Sequence, residues 1–270
     1  MGRTAWIASY PKSGNTWVRA LLHAHREGRI DELSNLDFGG ANEGMDTRLG
    51  VSLSDATDAE AMQLMRLGWA IGSDEPGFVT RKTHHAWTCS VDSYPDRWQP
   101  DGARAIYVVR DPRAVAVSWA HHRGCSHAEA VAFMREGQHE MKPVHLAHGG
   151  YRPSTWSDHV SSWTRQTDIP VVVVRYEDLL ADPDAELLRI ADSLDLPTTA
   201  QSRAAAIEAC SFTSLAAREV VEGFAEAPAV DRVFFRRGQA DAWREELEPA
   251  LAAEIEADHE STMREFGYLT

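Results

Sequence analysis

Cysteine is scarce in this sequence, and the three present, Cys89, Cys125 and Cys210, are odd in number and widely spaced. That argues against a disulfide framework or a zinc knuckle and fits reduced thiols. Long apolar runs are missing too. No stretch approaches the roughly 20 residues that cross a bilayer, and "MGRTAWIAS" runs straight into a first strand without the apolar core of a signal peptide. A soluble, cytoplasmic protein is expected. Cations are in deficit, 27 Lys and Arg against 41 Asp and Glu for a net charge of −14. Such a balance argues against a general binder of nucleic acid or anionic membrane, so any anionic ligand must meet a local cluster of basic groups. No Pro/Gly/Ser-rich linker or shift in composition divides the 270 residues, 43% of them hydrophobic. One sizeable α/β domain over residues 1–270 is therefore expected.

Near the start stands "WIASYPKSGNTWVRALL". Ala5-Trp6-Ile7-Ala8 reads as a short buried strand, and the stretch from Trp17 to Leu22 as a helix beginning behind Ser13-Gly14-Asn15-Thr16. A strand, a tight turn and a helix leave the first helical N–H groups unpaired, with the positive end of the helix dipole behind them, a place for phosphate. Gly14 lets the backbone come close, and Lys12 adds a mobile charge. Taken alone, the stretch reads equally well as a capped N-terminal helix with a solvated lysine.

The same logic repeats downstream. Residues 58–69 have helical periodicity, and Phe78 to His84 reads as a strand with a polar end. "ARAIYVVRDPRAVAVSWAHH" gives a strand from Ala105 to Val109, a turn with Asp111 as N-cap and Pro112 near N1, and a helix from Ala114 to His121. "IPVVVVRYEDL" is apolar throughout, as a strand covered on both faces should be, and an amphipathic helix opens at Asp182-Pro183. Alternating strands and helices predict a parallel β-sheet flanked by helices. Ligands bind such sheets beyond the carboxyl ends of the strands, and Lys12, Lys82, His84, Arg110 and Tyr176 lie at or just past such ends. Residues 122–157 read as a long, poorly periodic loop; with residues 34–57 they are expected to wall a binding pocket.

On these residues the chain resembles the cytosolic-type sulfotransferases, which move a sulfuryl group from 3′-phosphoadenosine 5′-phosphosulfate (PAPS) to an acceptor hydroxyl or amine. "SYPKSGNTW" is similar to that family's P-loop-like phosphosulfate loop, "RKTHHAW" to its catalytic-base strand and "YVVRDPRAVAVSW" to its 3′-phosphate segment. "RYEDLLADP", "CSFTSLAAREV" and "FFRRGQADAW" are similar to further family blocks. The resemblance implies that Lys12 and the amides of Ser13, Gly14, Asn15 and Thr16 hold the 5′-phosphosulfate, that Lys82 contacts the sulfuryl oxygens, and that His84 is the general base. It implies that Arg110 and Ser118 bind the 3′-phosphate with Arg236, Arg237 and Gly238, that Trp17 and Phe212 sandwich the adenine, and that Tyr176 reaches its edge. It also implies a small-molecule acceptor, no metal, no nucleic acid or membrane partner, and a monomer or homodimer.

Three departures accompany it. In "FFRRGQADAW", which is similar to the family's Arg-Lys-Gly-rich phosphate clamp, the family's Gly-Asp before the tryptophan is Asp241-Ala242, Arg237 stands for Lys, and farther on the C-terminal dimer motif is not visible. Without the resemblance, Trp17 and Phe212 read as core aromatics, Arg236-Arg237 as a solvated pair, Ser118 as a neutral helix position, and His85 competes with His84 as the base. Twelve histidines invite a metal reading, but no spacing matches HExxH or a Cys/His knuckle. Two rivals stand beside the transferase. A P-loop kinase would place its lysine after the last glycine, whereas Lys12 precedes Gly14. A nucleotide-sensing module would have no need of a Lys82/His84 pair.

Overall fold

The computed structural model describes residues 3–30, 33, 49–51, 57, 60, 64, 78–87, 102–137, 153–224, 226–227 and 232–270. Its frame is a parallel sheet of β1 (Arg3–Ser9), β2 (Phe78–Thr83), β3 (Arg104–Val109) and β4 (Val171–Arg175), in the order β2-β1-β3-β4. Ile7 lies opposite Lys82 on one side and Ile106 on the other, so the carboxyl ends of β1, β2 and β3 finish side by side. The chain steps from β1 outward to β2 and then back across to β3, which opens a crevice at those ends.

The period of two along a strand divides the core. Ala5, Ile7, Ile106 and Val108 face one layer, built from α1 (Asn15–Glu27), α5 (Tyr176–Ala181), α6 (Pro183–Ser193), α7 (Ala200–Ala209) and α8 (Phe212–Glu222). Trp6, Ala8, Tyr107 and Val109 face the other, built from α2 (Pro112–Arg123), α3 (His127–Glu136), α4 (Trp156–Arg165), α9 (Trp243–Glu246) and α10 (Pro249–Glu265). The α/β fold is the expected one.

Local chemistry sets several of these helices. Asp111 caps α2 by accepting the Arg113 N–H, with Pro112 in the first turn. The Arg113 guanidinium returns to Asp111 at 2.7 Å, reaches Glu256 at 2.6 Å and lies 4.1 Å over the Trp243 ring, locking the start of α2 to α9 and α10.

One expectation is corrected. Residues 122–157 are not one loop: α3 occupies His127–Glu136 and α4 starts at Trp156. Ser126 and Glu129 form a reciprocal capping box and Thr155 caps α4, signals that a search for periodicity alone passes over. The apolar run of β4 is covered on both faces as expected, Val171 and Val173 packing on one core layer and Val172 and Val174 on the other. Only Val174 is fully buried, because β4 is an edge strand among the described residues, and the chain turns helical at Tyr176. Of the helix expected over 58–69, Glu60 and Leu64 are helical and the rest lies outside the described residues, as do Cys89, most of 34–57, and 138–152. Cys125 and Cys210 are free thiols. Among the described residues no helix is long and apolar enough to cross a membrane.

Candidate active site

The turn after β1 uses two left-handed residues, Lys12 at φ 67° and Gly14 at φ 107°, and the Ser13 N–H closes it onto the Tyr10 carbonyl. A Cβ on Gly14 would come within 2.7 Å of Tyr176 Cδ2, so the backbone lies directly against that ring. Asn15 ties the turn to the strand, its Nδ2 donating to the Ile7 carbonyl at 2.8 Å. Gly14 is the N-cap of α1. Unlike α2, α3 and α4, this helix has no side-chain cap among the described residues, and, unlike α3 and α4, no acidic group of its own in the first turn. The capped-helix alternative therefore lapses, and the positive end of α1 faces the crevice. Ser13 Oγ is buried without a partner among the described residues.

Cations gather around this turn. Lys12 Nζ sits 3.8 Å from the centre of the Phe234 ring, and its pKa is drawn down to about 7, first by burial and then by Lys82 and Arg110 against the opposing pull of Glu226. Arg110 donates to the carbonyls of Lys12 (3.2 Å) and Gln239 (3.1 Å) and lies 4.2 Å over Tyr176. Tyr176 thus backs Gly14 and Arg110 together, and the edge of Trp17 meets it at 5.7 Å. Lys82 Nζ and Arg19 Nη1 both reach Oε1 of Glu226, at 2.8 and 2.7 Å, while Thr16 Oγ1 donates to Oε2 at 3.1 Å. Burial would raise the Glu226 pKa, but Lys82 and Arg19 outweigh it and hold the carboxyl below the usual range.

His84 follows β2. Its Nδ1 lies 2.8 Å from the Ser9 carbonyl, an acceptor only, so Nδ1 carries the hydrogen and Nε2 the lone pair. Burial first, and then the Lys82 charge, press its pKa well below 6.5, which keeps the ring neutral at pH 7. His85 is used differently: its carbonyl accepts from Trp163 Nε1 at 2.8 Å and its amide donates to Thr83 Oγ1.

The segment 232–239 passes over this crevice. Glu219 on α8 accepts the amides of Phe234 and Phe235, and Gly238 lies so close to Phe212 that a Cβ there would stand 2.3 Å from the ring. The Trp17 indole donates to the Cys210 carbonyl at 3.0 Å, which brings α1 to the start of α8 and Phe212. Arg236 and Arg237 pair with Glu246, and Arg237 also with Glu245. Ser118 stands half-buried on α2 between buried Val117 and Trp119. The structure thus joins Lys12 through Trp17, Lys82, Arg110 and Tyr176 in one crevice, with His84 beside Lys82; Arg236 and Arg237 reach it along the backbone, their guanidinium groups turned to α9. Sequence reasoning missed Arg19 and Glu226. Arg19 had a signal, a cation on the apolar face of α1 three residues after Thr16; Glu226, in "EGFAEAPAVD", had none.

A family model described as the sulfotransferase domain matches residues 3–267. Cytosolic sulfotransferase 13 of Arabidopsis thaliana is 24% identical over 269 residues, covering 93% of this chain and 74% of its own length. Cytosolic sulfotransferase 10 of the same plant is 25% identical over 278 residues, covering 97% and 78%. Mouse sulfotransferase SULT7A1 complexed with PAP superposes with a TM-score of 0.64 at 19% identity, over 97% of this chain and 85% of that one. Retinol dehydratase in a complex with retinol and PAP gives 0.64 at 19%, over 96% and 81%. These two likenesses establish the shared fold.

Proposed function

Because the chain belongs to the sulfotransferase family, we propose that it transfers a sulfuryl group from PAPS to the hydroxyl, or secondarily an amine, of a small-molecule acceptor. The observation that carries this reading is the convergence of the α1 N-terminus, without a side-chain cap among the described residues, Lys82 and a neutral His84 with its lone pair on Nε2. The residues fit the donor. Ser13 Oγ is a buried polar atom without a partner among the described residues, Gly14 lets the turn lie directly against Tyr176, and the Glu226 carboxylate stands where Thr16 and Lys82 would meet an anion.

The donor supplies a sulfur–oxygen bond that breaks toward a phosphate leaving group. The turn amides of Gly14, Asn15 and Thr16 hold that phosphate with Lys12 and the Ser13 hydroxyl, the Ser13 amide being closed onto Tyr10, and Lys12 offsets the charge that develops on its leaving oxygen. Lys82 steadies the sulfuryl oxygens. His84 Nε2 takes the acceptor proton as the acceptor oxygen bonds to sulfur. Arg110, with Ser118, Arg236, Arg237 and Gly238, takes the 3′-phosphate; Arg236 and Arg237 must then exchange Glu245 and Glu246 for it. Trp17 and Phe212 flank the adenine, with Tyr176 at its edge. The proposal includes one domain over residues 1–270, a cytoplasmic setting, no metal, no nucleic-acid or membrane partner, and a monomer or homodimer.

Labelled PAPS offered with a panel of phenols, steroids, sugars and amines tests the reading by a mass gain of one sulfuryl group in the absence of magnesium. Magnesium-dependent phosphoryl transfer from ATP, without sulfuryl transfer, would overturn it in favour of a kinase.

A further inference from the structure

Arg19 is nearly fully buried, with 3% of its side chain exposed. It lies one helical turn beyond Thr16, so both side chains share a face of α1. Across from them stands Lys82 in β2. These three groups converge on one carboxylate, Glu226, contributed by the short stretch after α8. A buried guanidinium is costly unless an anion accompanies it, and here the anion comes from the chain itself. Two cations sharing a single oxygen, with a hydroxyl on the other, form a built anion pocket at the open end of the P-loop-like turn.

Resting on the sulfuryl-transfer reading, we propose that Arg19 is a further binding residue for the phosphosulfate end of the co-substrate, and that Glu226 is its internal stand-in, displaced when the co-substrate enters. Glu226 brings one negative charge to a pocket where the phosphosulfate end brings two. The two cannot share it, because like charges a few Å apart in a poorly solvated site repel strongly. Every co-substrate molecule therefore binds in competition with Glu226, and its apparent affinity is reduced by the fraction of molecules in which the carboxylate is seated. Arg19 and Lys82 keep an anionic partner in both states, so neither is left as an uncompensated buried charge.

The test measures binding, by titration calorimetry, of adenosine 3′,5′-bisphosphate and of adenosine 3′-monophosphate, which lacks the 5′ anion. Wild type is compared with Glu226→Gln, Arg19→Gln and the double variant, whose neutral pair removes the danger that Arg19→Gln alone leaves a buried carboxylate and misfolds. Glu226→Gln should bind the bisphosphate about tenfold more tightly, on the scale of one removed charge–charge competitor, with the monophosphate unchanged. The double variant should bind the bisphosphate at least about tenfold more weakly than Glu226→Gln, the scale of one lost charge-assisted contact, again with the monophosphate unchanged. A folded double variant that matches Glu226→Gln removes Arg19 from the site. A Glu226→Gln variant that binds the bisphosphate no better than wild type removes the competition. Wild type that binds neither nucleotide overturns the sulfuryl-transfer reading itself, and this proposal with it.

Discussion

His84 keeps its ring in one tautomer through a backbone acceptor, the Ser9 carbonyl at the end of the neighbouring strand. If it is the base, His84→Ala should lower kcat by about 10²–10⁴-fold while the Kd for adenosine 3′,5′-bisphosphate stays within a factor of about two, since the ring meets the acceptor proton and not the nucleotide. Its pKa is lowered below the ordinary 6.5, so the neutral form persists as pH falls through 6.5. The acid limb of kcat/KM should lie below that pH, and a limb above it would belong to another group. The Lys12 pKa is lowered too, but there it is the charged form that an anion needs. With its pKa near 7 before a nucleotide arrives, part of the population is uncharged at neutral pH, and an arriving anion raises the pKa again. Nucleotide binding at pH 7.5 (about the middle of the working range) should therefore take up more protons in wild type than in Lys12→Met. Calorimetry in buffers of different ionisation enthalpy reads that difference.

At the scale of the element, the strand–turn–helix unit depends on a glycine for two separate reasons. Gly14 has φ 107°, and its backbone lies against Tyr176, which in turn carries Arg110 at 4.2 Å. Gly14→Ala should cost about 1–3 kcal/mol through strain, and displacement of Tyr176 should weaken nucleotide binding as well. Gly28, at the far end of the same helix, has φ 75° with nothing among the described residues within 4 Å of where a Cβ would stand. Gly28→Ala should show strain alone, a smaller loss in thermal stability with nucleotide affinity unchanged. Equal effects of both variants on affinity would separate Tyr176 from the cradle.

Across the whole molecule, the buried histidines set the response to acid. His84, His159 and His259 are all held below the ordinary 6.5, His159 at about 3 and His259 at about 4, chiefly by burial. Each binds a proton less readily folded than unfolded. The stability each contributes is fully present above pH of about 6.5 and declines below it, by up to about 1.4 kcal/mol per pH unit for each group. Glu226, with its lowered pKa, adds a loss of the same sign below the ordinary carboxylate range. Lowering the pH from 7.5 to 5.5 should reduce the melting temperature even as the net charge moves toward zero near the sequence pI of about 5.3. A melting temperature that rises over that interval would mean that relief of charge repulsion dominates the histidines.

What the sequence determined by itself was local. The β1–turn–α1 unit, the Asp111 cap with Pro112, the strands at 78–83 and 104–109 and the helix behind Asp182 follow from periodicity and end chemistry within a few residues. The cationic turn of Lys12 and Gly14 was legible for the same reason. Tertiary structure decided the rest. It brought Glu226 to Arg19, Thr16 and Lys82, set the His84 proton with Ser9, stacked Arg110 on Tyr176, and turned Arg236 and Arg237 onto Glu245 and Glu246. Propensities and caps act between neighbours in the chain and leave a trace in the sequence. A carboxylate and the cations that hold it carry no pattern linking them across sequence separations of 144 and 207; only the folded sheet and the helices upon it bring them within reach.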